Sequence, residues 1–182
     1  NGLSISTYGT VALANISAHG NGLDGVYVDN STGTLVRGVT QTETISASNN
    51  GNVGVDILTL GVITLNNLYA DNNTIGANLR NDGPSAVGAV TITGYATLYN
   101  SSSDGLNIFS RGNITITNLD ASYNGSYGAT LNNTAGTGTV SLLTTVGGKT
   151  YAWSNGQTGI EIDTKRAVSL ANLDVYNNNG DG

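Results

Sequence analysis

Residues 104–125 read DGLNIFSRGNITITNLDASYNG, and hydrophobic residues alternate with polar ones in them three times: Leu106 with Ile108, Ile114 with Ile116, Leu119 with Ala121. Alternation with a period of two is what a half-buried strand requires. The pieces are separated by turns too short for a crossover helix, so the stretch reads as three short strands joined by tight corners. Asn124 follows three residues after the small Ala121, and the phrase LDASYNGSYG at 119–128 returns as LDVYNNNGDG at 173–182. A phrase that returns at a fixed period marks a stacked architecture.

Outward from this stretch the pattern covers the whole chain. Glycines that open a strand fall at Gly2, Gly25, Gly54, Gly76, Gly105, Gly128 and Gly159, with Gly182 in the same column; the intervals are 23, 29, 22, 29, 23, 31 and 23. Short units alternate with long ones. Inward pairs repeat in the first strand from Leu3 and Ile5 to Ile160 and Ile162, in the second from Val11 and Leu13 to Val168 and Leu170, and in the third from Ile16 and Ala18 to Leu173 and Val175. The second unit, NSTGTLVRGVTQTET, can be registered two ways. Extra residues of the fourth unit are expected in RNDGPSAVG before its second strand, and those of the sixth in TTVGGK after it. The expected fold is all-β: one solenoid over residues 1–182, a parallel β-helix of about seven coils with three short strands each.

Three residues past each third strand's small residue stand Asn21, Asn50, Asn73, Asn124, Asn155 and Asn178, with Ser101 in the remaining coil. Asn tolerates the left-handed backbone of a tight corner, and its amide can donate and accept along a column of identical neighbours. The column is therefore expected to be both corner and structural ladder.

Composition narrows the function classes. The chain has 182 residues with 38% hydrophobic, only 10% charged and 26 glycines; its polar residues are chiefly Asn, Ser and Thr rather than the charges of disordered chains. A formal charge of −6, with Lys165 and Arg166 the one adjacent pair of cations, speaks against nucleic acid as partner. No run of about 18 apolar residues suggests membrane insertion. Few Lys or Arg offer sites to trypsin-like proteases, which suits an extracellular or cell-surface location; cysteine is absent, and a stack held by many backbone ladders does not need disulfides.

The units NGLDGVYVDN, DGLNIFSRGNITITNLDASYNG and GIEIDTKRAVSLANLDVYNNNG resemble the right-handed parallel β-helix repeats of the pectate-lyase-like superfamily. In their Asn, Thr and Gly richness they look most like the solenoid regions of secreted bacterial surface proteins, adhesins and fibre-forming proteins. The right hand also follows the rule for parallel crossovers. The resemblance specifies fold, and fold does not fix function.

The superfamily's enzymes cleave acidic polysaccharides with clustered Asp residues, or with a calcium-binding acidic cluster and a catalytic Arg or Lys. Outward positions of the first strand carry Asp56 and Glu161 four coils apart, ~19 Å at ~4.8 Å per coil. Paired glycosidase carboxylates stand only about 5 to 9.5 Å apart. Glu161 and Asp163 share one strand face, but Lys165 and Arg166 follow directly, as in a solvated charge cluster. His19, the single histidine, reads as a surface residue, since zinc needs three or four ligands. No catalytic residue, metal site or cofactor is expected, and the protein reads as no enzyme.

The third strands carry aromatics and acids outward: Thr97 with Tyr99, Asp120 with Ser122, Tyr151 with Trp153, Asp174 with Tyr176. Trp153 and Tyr176 should be direct neighbours, and Asp120 and Asp174 should flank Tyr151. Exposed aromatics beside carboxylates suit a sugar, which has an apolar face and polar edges; stacked aromatics also stabilise sheets by themselves. The candidate sugar-binding residues are Tyr99, Asp120, Tyr151, Trp153, Asp174 and Tyr176. The second strands carry Thr64, Thr91, Thr115, Ser141 and Ser169 outward, an array resembling those of ice-binding proteins, interrupted at Ala12 and Asn66. Asn-x-Ser/Thr sequons include Asn15, Asn30, Asn72, Asn113 and Asn132.

Both ends of the chain lie inside the repeat and neither carries an obvious cap, whereas isolated solenoids need one. The expected role is structural: a segment of a giant surface protein, or a subunit pairing with itself end to end into a fibre. The alternative is a carbohydrate-binding adhesin segment using the third-strand face, with polysaccharide as partner. A polysaccharide lyase or hydrolase and an ice-binding protein rank lower.

Overall fold

Leu106 and Ile108 point inward and are fully buried while Asn107 and Phe109 face outward, and this phase repeats through the stack. The computed structural model describes residues 1–33 and 35–182. Seven coils follow one another in chain order. The first holds β1 (Leu3–Ser6), β2 (Val11–Leu13) and β3 (Ile16–His19), and the second β4 (Val26–Asp29), β5 (Val39–Gln41) and β6 (Thr44–Ser48). The third holds β7 (Val53–Leu58), β8 (Ile63–Leu65) and β9 (Asn67–Tyr69), and the fourth β10 (Ile75–Asn81), β11 (Val90–Ile92) and β12 (Ala96–Tyr99). The fifth holds β13 (Leu106–Ser110), β14 (Ile114–Thr117) and β15 (Leu119–Ser122); the sixth β16 (Ala129–Asn132), β17 (Val140–Leu143) and β18 (Thr150–Trp153); the seventh β19 (Ile160–Asp163), β20 (Val168–Leu170) and β21 (Leu173–Tyr176).

Every third strand joins the same sheet, giving three parallel sheets of seven strands around one continuous core. The protein is a parallel β-solenoid. Pairing is in register throughout: Val55, Ala77, Leu106, Ala129 and Ile160 form one inward column of the first sheet, and Ile63, Val90, Ile114, Val140 and Val168 one of the second. Each buried Leu or Ile contributes ~1.5–3 kcal/mol, and the core exists only because neighbouring coils cover one another.

The ambiguity of the second coil has a physical origin. Its second strand is β5, whose inward pair is Val39 and Gln41, a polar residue in a hydrophobic column. Gln41 is buried; its Oε1 accepts the Asn66 main-chain N–H at 2.9 Å, and its Nε2 has no partner among the described residues. The inserts also differ from expectation. β10 runs on through Arg80 and Asn81, so the fourth coil's insert is confined to 82–89. The sixth coil divides its extra residues between 133–139, before β17, and 144–149, after it.

The Asn column forms a ladder, but it is not the left-handed corner. Positive φ belongs to the residue before it: Gly20, Asn49, Asn72, Asn100, Tyr123, Ser154 and Asn177. That turn drives the next side chain inward. Asn50 is buried, accepts the Asn21 main-chain and side-chain amides at 3.0 and 2.8 Å, and donates to Asn73 Oδ1 at 3.0 Å and Ala18 O at 3.1 Å. Asn124, Asn155 and Asn178 repeat the arrangement. Ser101 breaks it: its N–H reaches Asn124 Oδ1 at 3.0 Å, yet its buried Oγ has no partner among the described residues.

A second device encodes the alternation of coil length. In short coils the residue that ends or directly follows the first strand is Thr7, Thr59, Ser110 or Thr164, whose hydroxyl accepts the N–H two residues on at 3.0–3.1 Å and closes a tight corner. In long coils it is Asn30, Asn81 or Asn133, whose amide donates back to Gly9, Gly61 or Gly112 of the preceding short coil at 3.1, 2.9 and 3.5 Å. A long coil is thus built to sit on a short one.

Candidate functional site

The outer face of the third sheet carries the densest set of chemically distinctive side chains. Register places Thr97, Asp120, Tyr151 and Asp174 in one outward column and Tyr99, Ser122, Trp153 and Tyr176 in the next. The six residues singled out from sequence therefore share this face, but they divide into an aromatic row, a groove, and Asp174, which pairs with Lys149 at the groove's wall.

Tyr99, Trp153 and Tyr176 belong to an aromatic row that Tyr123 completes. Tyr99 and Tyr123 have ring centroids 5.6 Å apart, Tyr123 meets Trp153 edge-on at 4.2 Å, and Trp153 stacks on Tyr176 at 5.4 Å with 14° between planes. Trp153 thus lies between two rings, and such pairs contribute ~0.5–1.5 kcal/mol each beyond burial. Tyr123 was not anticipated. It occupies the left-handed corner column with φ 60°, where the other coils place Gly, Asn or Ser.

Asp120 and Tyr151 belong instead to a groove. The segment 144–149 rises beside them, held by Asn118, whose Oδ1 accepts the Thr145 N–H at 3.0 Å while its Nδ2 donates to Thr145 Oγ1 at 3.1 Å and Gly94 O at 3.0 Å. Lys149 Nζ donates to Asp174 Oδ2 at 2.9 Å and lies 5.7 Å from the Tyr151 ring centre. Between this segment and the sheet is a groove of about 360 Å³, lined among others by Tyr95, Thr97, Asp120, Thr145, Lys149 and Tyr151. Its wall is the part of the sixth coil's insert that the sequence pattern placed after the second strand, and its lining includes Tyr95, which alternation alone did not single out.

Asp120 is half-buried; its Oδ1 accepts Ser122 Oγ at 2.7 Å and its Oδ2 accepts the Tyr99 hydroxyl at 3.3 Å. Burial holds its carboxyl above the usual aspartate range, against the opposing pull of those two donors. Asp71 is raised by burial, with Asp120 adding to the effect and a backbone donor at Tyr99 opposing it. Asp56, on the first sheet, is raised by burial although Asn78 donates to it at 2.9 Å. The folded chain therefore binds protons at these sites more readily than the unfolded one. The associated stability is fully present below the ordinary aspartate value and is lost as pH rises through the elevated ones. The midpoint of thermal unfolding of dilute protein is expected to rise on acidification from pH 7 toward about pH 4, the unperturbed aspartate range. The triple variant D56N/D71N/D120N is expected to flatten that slope; an unchanged slope would exclude these groups as its source.

The remaining candidates lie elsewhere. His19 is exposed, and its Nδ1 accepts the Ser48 N–H at 3.1 Å. Glu161 and Asp163 share the first sheet's last strand, and Asn132 donates to Asp163 at 3.3 Å. The outward hydroxyl column of the second sheet runs unbroken through Thr40, Thr64, Thr91, Thr115, Ser141 and Ser169, because the register of β5 adds Thr40; Ala12 ends it and Asn66 stands in the neighbouring column. Of the sequon asparagines, Asn15, Asn72 and Asn113 are exposed whereas Asn30 is buried. Comparison with protein-family models, curated proteins and solved structures finds no match.

Proposed function

We propose that the chain is a length of extracellular structural solenoid, of the kind built by pectate-lyase-like repeats in surface and fibre-forming proteins, whose coil faces are continued by further coils. The observation that carries this reading is the register of the stack: three parallel sheets of seven strands run around one continuous core, so each coil's apolar residues are covered by the coils next to it. Val140 and Leu142, for example, are fully buried beneath Val168 and Leu170 of the following coil.

The coil that docks on a short one is of the long type. Thr164 marks the seventh coil as short, and every long coil docks an Asn amide onto a short one. The stack therefore grows by strict alternation of short and long coils. Extending the chain after Gly182 with a copy of residues 26–53 tests this against extension with a copy of residues 3–24. The long extension is expected to raise the unfolding midpoint more, and electron microscopy of the unextended chain should show discrete rods about 34 Å long, seven coils at ~4.8 Å. Filaments with that axial repeat would instead favour self-assembly. Equal or no stabilisation by both extensions would remove the argument.

A further inference from the structure

We propose that the groove between segment 144–149 and the outer face of the third sheet binds a neutral oligosaccharide laid along the solenoid axis. Three observations converge on it. Among the described residues, only in the sixth coil is the corner between second and third strands longer than three residues, and that corner stands beside Asp120 and Tyr151. The wall is fixed in advance, because Asn118 holds both the N–H and the hydroxyl of Thr145, so little ordering is left for a ligand to impose. The lining also combines what a sugar ring requires: aromatic surface from Tyr95 and Tyr151, hydroxyls from Thr97 and Thr145, and the Asp120 carboxylate as acceptor, oriented by Ser122 and Tyr99.

The geometry also selects the ligand. Thr97, Asp120 and Tyr151 stand in register on successive coils, ~4.8 Å apart, comparable to the advance of one pyranose residue in an extended chain. A groove of about 360 Å³ admits a short segment of such a chain. Lys149 is already matched by Asp174, which leaves Asp120 as the uncompensated charge of the groove in a chain of formal charge −6. A uronic acid polymer would meet repulsion, and a neutral one would not. The platform is moreover not Trp153, whose ring lies between Tyr123 and Tyr176, but Tyr151 and the exposed Tyr95.

The test is a glycan array carrying neutral β-linked and α-linked hexo-oligosaccharides together with oligogalacturonates, followed by titration of the best neutral tetrasaccharide monitored by amide resonances. Shifts are expected at 95–97, 118–120 and 144–151. The isosteric Asp120→Asn is expected to weaken binding about tenfold, the loss of one charged hydrogen bond. Tyr151→Ala should weaken it further with the fold retained by circular dichroism, while Trp153→Ala leaves it unchanged. Absence of any neutral ligand, preference for oligogalacturonate, or loss of binding in Trp153→Ala with none in Asp120→Asn would each overturn the proposal. None of these outcomes bears on axial continuation, which involves the coil faces rather than this side of the stack.

Discussion

Gly105→Ala is expected to destabilise the solenoid by ~3 kcal/mol or more, although the change adds one methyl group and demands no unusual backbone angle. A Cβ at Gly105 would stand 2.5 Å from the carbonyl oxygen of Gly128 and 2.6 Å from Asn124 Nδ2. Neither neighbour can withdraw. The carbonyl accepts the Leu106 N–H across the coils, and the amide belongs to the buried ladder, donating to Leu98 O and Asn155 Oδ1. Making room separates the two coils or breaks the ladder, which adds the penalty of a buried polar group to that of overpacking. Gly22→Ala is the internal control: nothing lies within 4 Å of its Cβ position, and its effect should stay within ~0.5 kcal/mol. Urea unfolding of the two variants measures the difference. Similar midpoints would mean that the stack yields axially and that the glycine column is not what sets the coil spacing.

The glycine column, the strand phases and the positions of the ladder were all legible in the sequence, because each is a fixed-offset pattern repeated seven times and chance does not sustain such a pattern. What was not legible is instructive. Gln41 concealed one strand because an amide stood where the pattern required a hydrophobe, and only the Asn66 N–H that it satisfies explains its presence. The left-handed residue was assigned one position late, since both corner positions are rich in Asn and identity alone does not tell which turns the chain and which points inward. Tyr123 left no signal at all: a large aromatic in a left-handed corner contradicts local preference, and its two ring neighbours, Tyr99 and Trp153, come from the coils on either side. On the candidate face, the outward columns followed directly from alternation. The groove did not, because its wall is a segment without periodicity whose place is set by one residue, Asn118, in the preceding coil.

The coil that lacks a ladder asparagine is expected to be rescued only by two changes made together. Beside every other opening glycine from Gly2 to Gly159 stands the Nδ2 of a ladder Asn, but beside Gly76 stands Leu98 Cδ2, 3.1 Å from the Cβ position. Leu98 occupies the column held by Ala18, Ala47, Ala70, Ala121 and Ala152, with Val175 in the last coil. The larger side chain fills the space that Ser101 leaves, and the pair Leu98 and Ser101 stands where other coils use a small residue and Asn. Ser101→Asn alone drives a carboxamide into the Leu98 methyl groups, for ~1–3 kcal/mol of overpacking. Leu98→Ala alone leaves a cavity in a fully buried site and is expected to lose ~2–5 kcal/mol. Combined, the new amide has a partner on every side: Asn73 to donate to it, Asn124 Oδ1 to receive from it, and Ala70 O at the position where its counterparts find Ala47 O and Leu98 O. The double variant should therefore be more stable than the sum of the single changes predicts, by a coupling of ~0.5–3 kcal/mol, measured as a double-mutant cycle in urea. Strict additivity would mean that Leu98 does not stand in for the missing amide, and that the ladder tolerates its gap through relaxation elsewhere in the coil.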